Sequence, residues 1–416
     1  MPRLGRSFGF LLSSTALSNL ADGVLKVGAP LLAVSLTRSP TLVSLTGAAA
    51  TLPWLLFALH AGAIADRLDR RRIMVLANLA RSAVLAATAA LGLLGLVNLW
   101  VMLAAVLIAG VAEVFADTSA QSVLPMAVPP ERITAANGRV QSVQMIGNEF
   151  AGAPIAGLLV TLLPAAVFGA PALLYGAAGL LLLGMRGSYG TAATAGPRRS
   201  LLRDIVAAQR YLWSQRFLRT LAVSAGLLNF ASAAYFGVFV LWAVGDGSRI
   251  GLSPSGYGLM MTAMAVGAVA GSLVSERVSG LLGEGRTLVG AWLVSALLYL
   301  VPVLWPVAWL LYPTSVVWGV IGAAANVLVI STRQRLIPPE LLGRVNSAYR
   351  LIGMGGMPVG AALGGVVAEL AGLTAVLLGA TGVCLVGVGL VWRALHDRIS
   401  HPLTSTPSVP DTFRSR

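Results

Sequence analysis

The sequence contains very little of the chemistry that enzymes and metalloproteins use. Only 11% of its 416 residues are charged, and it has three histidines and one cysteine. With the single Cys384 the chain forms no internal disulfide, and the histidines at 60, 396 and 401 have no partner at the spacing of a metal site or a catalytic triad. The sequence therefore predicts neither an enzyme nor a protein that holds a metal or another cofactor.

Lysine is almost absent as well. Lys26 is the only lysine, so 28 of the 29 basic residues are arginine, and the formal net charge is +14. A charge of this size indicates a nucleic-acid partner when the basic residues form one patch. Here most of them lie in short breaks between long apolar segments, so we expect no nucleic-acid partner.

Apolar residues make up most of the rest. Hydrophobic residues are 57% of the chain and the mean hydropathy is +0.83, which leaves too little polar surface for a soluble globule. A membrane-spanning helix needs about 20 apolar residues, and runs of this length recur without the alternation typical of barrel strands. They predict an all-α integral membrane protein. The twelve predicted transmembrane helices are residues 8–36, 42–64, 73–96, 99–123, 137–162, 165–185, 217–243, 254–276, 287–304, 306–331, 345–370 and 373–394.

The arginines concentrate in alternate connections between these spans. Arg67 and Arg70 follow the second span and Arg132 follows the fourth, whereas the odd-numbered connections carry only Arg38 and Arg249. Because positive charge stays on the cytoplasmic side, both termini are predicted to be cytoplasmic. The expected location is the cell inner membrane, which the chain crosses many times. We expect a monomer whose partners are the lipid bilayer and a small-molecule substrate.

Two segments of the chain repeat each other. Residues 128–140 (VPPERITAANGRV) align without gaps with residues 337–349 (IPPELLGRVNSAY), at an offset of 209 residues that also aligns Asp117 with Asn326. Six spans return the chain to the same side, so the offset predicts two parallel six-helix halves. The predicted units are the halves 1–185 and 217–394, a cytoplasmic linker 186–216 with an amphipathic helix at 201–213, and a tail 395–416.

This 6+6 plan resembles the major facilitator superfamily, and the resemblance extends to residues 62–72 (GAIADRLDRRR). They are similar to the superfamily signature between helices two and three, Gly-x-x-x-Asp-Arg-x-Gly-Arg/Lys-Arg/Lys, with Asp69 in place of the second glycine. The variant is similar to the branch that contains macrolide-efflux proteins and the enterobactin exporter. The resemblance implies a conformational latch in which the first aspartate caps a helix end and pairs with basic residues. The predicted latch residues are Gly62, Asp66, Arg67, Arg70 and Arg71.

Residues 147–157 (GNEFAGAPIAG) in the fifth span resemble a degenerate form of the superfamily's antiporter motif. Gly152, Pro154 and Gly157 match it, although Ala153 separates the first glycine from the proline. Small residues let helices approach closely, and a proline bends a span. The resemblance implies that the fifth helix packs against the eighth and favours export, while close packing by itself would give the same pattern.

Polar side chains form stripes on three predicted spans. Ser14, Ser18, Asp22 and Lys26 recur every four residues on the first span, so they share one helix face. Charged groups at bilayer depth are costly unless they are paired or face water, so these stripes predict an interior cavity. Alternatively, Asp22 and Lys26 form a structural pair with each other. The candidates for proton coupling are Asp22, Lys26, Glu113, Asp117 and Glu149.

The second half supplies uncharged candidates for substrate contact. The aromatic and methionine side chains of its spans suit a bulky amphipathic molecule. The predicted substrate-cavity residues are Ser18, Gln121, Gln141, Gln144, Asn148, Asn229, Tyr235, Phe236 and Asn326.

Together these features predict a secondary active transporter that works by alternating access. No segment is long and polar enough for an ATP-binding domain, so transport is expected to run on an ion gradient or downhill, and a proton gradient is the favoured driving force. The favoured function is proton-coupled efflux, by antiport, of a drug-like or secondary-metabolite molecule. Two alternatives remain: an importer or facilitator of a small metabolite in the same fold, and a membrane scaffold or sensor that does not transport.

Overall fold

The computed structural model describes residues 5–187, 189–190 and 209–400. In this part of the chain twelve helices are long and apolar enough to cross a membrane, as predicted, and the protein is an all-helical, multi-pass membrane protein. Most of the predicted linker helix 201–213 and residues 401–416 of the predicted tail lie outside the described residues. The helices are α1 (Arg6–Leu36), α2 (Pro40–Ala65), α3 (Arg70–Leu93), α4 (Leu99–Ala127), α5 (Pro130–Leu162), α6 (Ala166–Leu183), α7 (Arg216–Ala243), α8 (Pro254–Leu282), α9 (Glu284–Leu304), α10 (Ala308–Leu336), α11 (Pro339–Ala371) and α12 (Leu373–Ser400).

Polar residues fix where several helices begin. The side chains of Ser39, Asp69 and Asn98 each accept a hydrogen bond from a backbone N–H in the first turn of α2, α3 and α4. Some helices run beyond the predicted apolar spans, as α10 does by continuing to Leu336. They do so because backbone hydrogen bonding does not stop where the apolar residues stop.

Helix α5 changes its backbone geometry near its middle. The α-helical segment Ile133–Met145 is followed by a π-helical segment, Ile146–Ala151, and then by α-helix again. π-Helical turns are rare and occur mostly within α-helices, often at functional sites. This one lies against α1, where a Cβ added to Gly23 would be 2.6 Å from the backbone oxygen of Asn148. Glycine at this position therefore allows the two backbones to approach.

Helices α1–α6 pack on one another, and so do helices α7–α12. In the first set α3 packs on α4 and α6, and α1 packs on α5 and α6; in the second, α8 packs on α10, and α7 packs on α11 and α12. The most extensive packings that join the sets are those of α2 on α11 and α5 on α8. At the α5–α8 crossing, a Cβ added to Gly157 would lie 2.5 Å from the backbone oxygen of Pro254.

Hydrogen bonds also join the two sets of helices at one end of the molecule, which we call the Arg38 end. The Arg38 guanidinium, between α1 and α2, donates to the backbone oxygen of Asp246 at 3.2 Å. Glu369, near the end of α11, accepts a hydrogen bond from the Ser39 hydroxyl at 2.7 Å. The opposite end, which α2 reaches at residues 66–69, is called the Arg70 end.

Candidate transport site

A buried arginine connects four of the first six helices. Arg81, in the middle of α3, is 1% exposed. Its Nη2 atom donates to Asp22 Oδ1 of α1, to the Tyr175 hydroxyl of α6 and, at 3.4 Å, to Glu113 Oε2 of α4. The Tyr175 hydroxyl also donates to Asp22 Oδ1 at 2.6 Å, and its ring centroid lies 3.7 Å from the guanidinium carbon. These four residues are called the Arg81 cluster.

The Arg81 cluster contains more acid than base. Asp117, one turn beyond Glu113 on α4, interacts electrostatically with Asp22 and Arg81. Three ionised carboxylates beside one guanidinium would leave two negative charges uncompensated at a depth where unpaired charge is costly. The arrangement therefore favours binding of a proton or another cation. Within the described ranges, no group of three or more His, Cys, Asp or Glu side chains is arranged to hold a metal ion.

Sequence reasoning missed Arg81. It placed the ionisable groups of the membrane interior on spans one, four and five, whereas the structure adds a cation from the third helix. The signal was present, because an arginine near the middle of the predicted span 73–96 needs a partner or water. The structure supplies Asp22 and Glu113 as those partners.

The pairing of Asp22 with Lys26 is wrong. Lys26 Nζ lies 3.1 Å from Glu149 Oε1 of α5, and the two side chains are 65% and 41% exposed. The two residues occupy successive turns of α1, but Asp22 lies toward α3 and α6, whereas Lys26 lies toward α5. The membrane interior thus contains a buried cluster and a separate, half-exposed ion pair.

The π-helical segment of α5 carries two of the predicted site residues. Glu149 forms the pair with Lys26, and Asn148 Nδ2 donates to Asn19 Oδ1 of α1 at 2.7 Å. Asn19 in turn donates to the backbone oxygen of Thr15 at 2.8 Å. These bonds hold Asn148 in the α1–α5 contact.

A cavity of about 400 Å³ lies on the Arg70-end side of the Arg81 cluster, and we call it the α1–α5 cavity. Five predicted residues meet in it: Ser18, Asp117, Gln121, Gln141 and Gln144. The complete lining is Leu11, Ser14, Thr15, Ser18, Asn19, Met74, Asn78, Ala116, Asp117, Ala120, Gln121, Leu124, Asn137, Val140, Gln141 and Gln144.

The predicted substrate contacts of the second half do not line this cavity. Tyr235 is fully buried, donates to the backbone oxygen of Tyr299 at 3.2 Å and stacks on its ring at 4.3 Å. Phe236 stacks on Trp318 at 5.0 Å. Asn229 donates to the backbone of α11, and Asn326 is exposed. In this conformation the aromatic residues form a packed cluster within α7–α10.

The signature at residues 62–72 forms the turn between α2 and α3. Asp66 ends α2 and lies 3.4 Å from Arg70 Nη2, and Arg71 donates to the backbone oxygen of Leu182 at 2.9 Å. Asp69, where the signature has glycine, caps the start of α3. The latch and capping role of Asp66 stays a prediction. Gly62 and Arg67 complete the segment, and the Arg67 side chain is exposed.

The segment that resembles the antiporter motif brings α5 against both neighbours. A Cβ on Gly152 would lie 2.5 Å from Gly23 Cα of α1, and Gly157 contacts the start of α8. A Cβ on Gly258 of α8 would lie 3.2 Å from Pro154 Cα. The fifth helix thus packs on the eighth, as the resemblance implied.

The chain is similar to known membrane transporters over most of its length. The family model described as transmembrane secretion effector, of the major facilitator superfamily (MFS), matches residues 2–407. The uncharacterized MFS-type transporter y4rN of Sinorhizobium fredii is 26% identical over 365 residues, which are 86% of this chain and 88% of that protein. The enterobactin exporter EntS of Citrobacter koseri is 28% identical over 170 residues, which are 40% of this chain and only 39% of the exporter.

Solved structures share the fold at low sequence identity. The nucleoside transporter NupG has a TM-score of 0.72 and 13% identity, with 94% of this chain and 99% of NupG covered. A bacterial homologue of the iron transporter ferroportin, in an inward-facing state, has a TM-score of 0.71 and 15% identity over 94% of this chain and 99% of the homologue.

Proposed function

The chain belongs to the transmembrane secretion effector family of major facilitator superfamily transporters, and we propose that it exports a drug-like or secondary-metabolite molecule in exchange for protons. The observation that carries this proposal is the Arg81 cluster. Asp22 and Glu113 share a single nitrogen of Arg81, so a small relative movement of α1 and α4 changes which carboxylate is paired. A carboxylate that loses its guanidinium at this depth is stabilised by binding a proton.

The proposed cycle alternates access between the two ends of the molecule. The two halves are 1–185 and 217–394, and both termini are cytoplasmic, which makes the Arg70 end cytoplasmic and the membrane the inner one. The bonds of Arg38 and Ser39 to the second half support a conformation closed at the Arg38 end. When that end opens, the cluster takes a proton from outside; when it closes, Arg81 is shared again and the proton leaves to the cytoplasm.

Export as the direction is supported by the relatives. EntS is named an exporter of enterobactin, although its match covers 39% of its length. The half-exposed pair of Lys26 and Glu149 places one charge of each sign at the contact of α1 with α5, which suits an amphipathic substrate with polar groups. A screen of antibiotics, dyes and siderophores in a strain without its own pumps would identify the compound carried.

The test compares two kinds of flux in one preparation of proteoliposomes. Glu113→Gln and Asp22→Asn should each lower uphill, proton-driven efflux by about 100-fold, the usual contribution of a proton-transferring side chain. Both variants should keep counterflow, which needs no net proton movement. Asn326→Ala is the control, because it removes an exposed polar group from the second half and should leave the pH profile unchanged.

The alternatives correspond to other outcomes of the same test. If both carboxylate variants keep wild-type uphill transport and its pH profile, a facilitator replaces the antiporter. If the wild-type protein shows no counterflow with any compound that the screen selects, a scaffold or sensor replaces the transporter.

A further inference from the structure

We propose that the α1–α5 cavity is a water-filled chamber through which protons pass from the Arg81 cluster, by way of Asp117, to the Arg70 end, along a route separate from that of the substrate. This inference rests on the proposed proton coupling. The chamber would bind water and its protonated forms.

The lining of the cavity points to water. It consists mostly of amide and hydroxyl side chains, and Asp117 is its one charged residue. Asn78 is 2% exposed and lines the cavity, and its Oδ1 atom has no hydrogen-bond partner among the described residues. A buried amide oxygen without a partner is costly, and water is the usual partner in a polar site that is large enough. About 400 Å³ exceeds the share of one liquid water, about 30 Å³, by more than tenfold.

Helices that line the chamber also carry members of the Arg81 cluster. Asn78 lies three residues before Arg81 on α3, and Asp117 lies four residues after Glu113 on α4, so each is one turn from the cluster. Two further nitrogens of Arg81, Nε and Nη1, have no partner within the part of the chain that the structure describes. The wall of the chamber is therefore continuous with the Arg81 cluster.

The charges around Asp117 select for cations. Asp22 of α1 and Glu113 of α4 add negative charge, and among the described residues Arg81 of α3 is the cation that faces them. Helix α5 contributes uncharged amides to the lining, α6 contributes the Tyr175 hydroxyl to the cluster, and α2 contributes the indole of Trp54, which donates to Glu113 at 3.4 Å. An excess of carboxylates attracts hydronium and repels anions.

The lining comes from α1, α3, α4 and α5 alone. Neither the Lys26–Glu149 pair nor the aromatic cluster of the second half belongs to it. At the Arg70 end the substrate would thus enter and the proton would leave by different openings, and the two would influence each other through the Arg81 cluster.

Thiol labelling tests whether the chamber is wet and cation-selective. In a Cys384→Ala background, Asn78→Cys should react with a small cationic methanethiosulfonate at least about tenfold faster than with an anionic one of similar size, because Asp117 lies nearby. The ratio of the cationic to the anionic labelling rate should fall toward one when Asp117→Asn is added. Ala104→Cys is the control. Ala104 lies on the exposed surface of the membrane-spanning helix α4, where lipid would cover it, so this cysteine should react slowly with both reagents.

Either of two results overturns the inference: Asn78→Cys that reacts no faster than Ala104→Cys, or equal rates with the two reagents. A substitution that adds bulk to the chamber then tests whether the proton and the substrate use different routes. Ala120→Leu, which adds bulk to the lining, should reduce proton-driven efflux of the compound found in the screen by about tenfold or more and leave its counterflow within about twofold. Ala104→Leu should change neither.

A loss of both fluxes in Ala120→Leu would place the cavity on the substrate route and overturn the separate proton route. If wild-type transport ignores the proton gradient while Asn78→Cys still shows the cation preference, the proposed antiport fails and the hydrated chamber stands by itself.

Discussion

One nitrogen atom of Arg81 donates hydrogen bonds to two carboxylates and a phenol hydroxyl, whereas Lys26 pairs with one carboxylate and is largely exposed. Because one cation is buried and the other is exposed, they contribute differently to the stability of the folded protein. Removing one member of a buried pair leaves a charge without compensation, whereas an exposed pair is largely replaced by water.

Arg81→Met should therefore destabilise the protein much more than Lys26→Met. We expect a loss of about 3–5 kcal/mol for Arg81→Met, as for other broken buried pairs, and less than about 1 kcal/mol for Lys26→Met. Thermal unfolding in detergent, followed by tryptophan fluorescence, measures both. Equal losses in the two variants would contradict the assignment of Arg81 as the buried cation.

At the scale of one helix, α5 contains a π-helical segment, and its contact with α1 depends on glycine. Gly23 and Gly152 lie at the crossing, where an added Cβ would meet backbone atoms at 2.5–2.6 Å. Backbone atoms cannot rotate away as the end of a side chain can. The crossing therefore tolerates no larger residue without moving a helix.

Gly23→Ala should cost about 1–3 kcal/mol, the usual range for inserting bulk into a packed site. Gly138→Ala on α5 is the matched control, because nothing lies within 4 Å of an added Cβ there. It should be neutral or stabilise the protein by up to about 1 kcal/mol through helix propensity. A Gly23→Ala protein that melts at the wild-type temperature would show that the crossing is looser than described.

Hydropathy predicted the helices but not their neighbours. The length of an apolar run is a local property set by bilayer thickness, so α1–α12 were readable from the sequence. Which way a helix faces is not local: Asp22 and Lys26 share one stripe, yet one pairs with α3 and the other with α5. Cavity residues on a polar stripe, such as Ser18 and Gln121, were predicted because a stripe is visible in the sequence. Asn78 and Arg81 were not, because they lie on a mostly apolar helix.

At the scale of the whole molecule, Glu369 joins the two sets of helices at the Arg38 end. Its carboxylate accepts hydrogen bonds from the Ser39 hydroxyl and from the Thr41 backbone N–H at 3.3 Å, at the start of α2. A carboxylate at a helix N-terminus also interacts favourably with the helix dipole. A residue of α11 thus caps α2, and separation of this end breaks the cap.

Glu369→Ala should shift the protein toward a conformation open at the Arg38 end. Ser44, buried between α2 and α11, is a site for the readout: in a Cys384→Ala background, Ser44→Cys should react with a hydrophilic thiol reagent several-fold faster when Glu369→Ala is present.

Asp246→Asn is the control for this experiment, because Arg38 binds the backbone oxygen of Asp246 and the substitution keeps that oxygen. Its labelling rate should match that of Ser44→Cys alone. Unchanged labelling in Glu369→Ala would mean that the remaining contacts of this end suffice to hold it closed.

The half-exposed Lys26 makes the protein unusually convenient for magnetic resonance. It carries the only ε-amino group in the 416-residue sequence, and that group lies 3.1 Å from Glu149. Reductive methylation with isotopically enriched formaldehyde would place observable methyl groups on this one side chain and on the α-amine of the chain, whose signals are distinguishable, and would preserve the charge of Lys26. The chemical shifts of the Lys26 methyl groups would then follow the pairing with Glu149 through the transport cycle without a single engineered substitution.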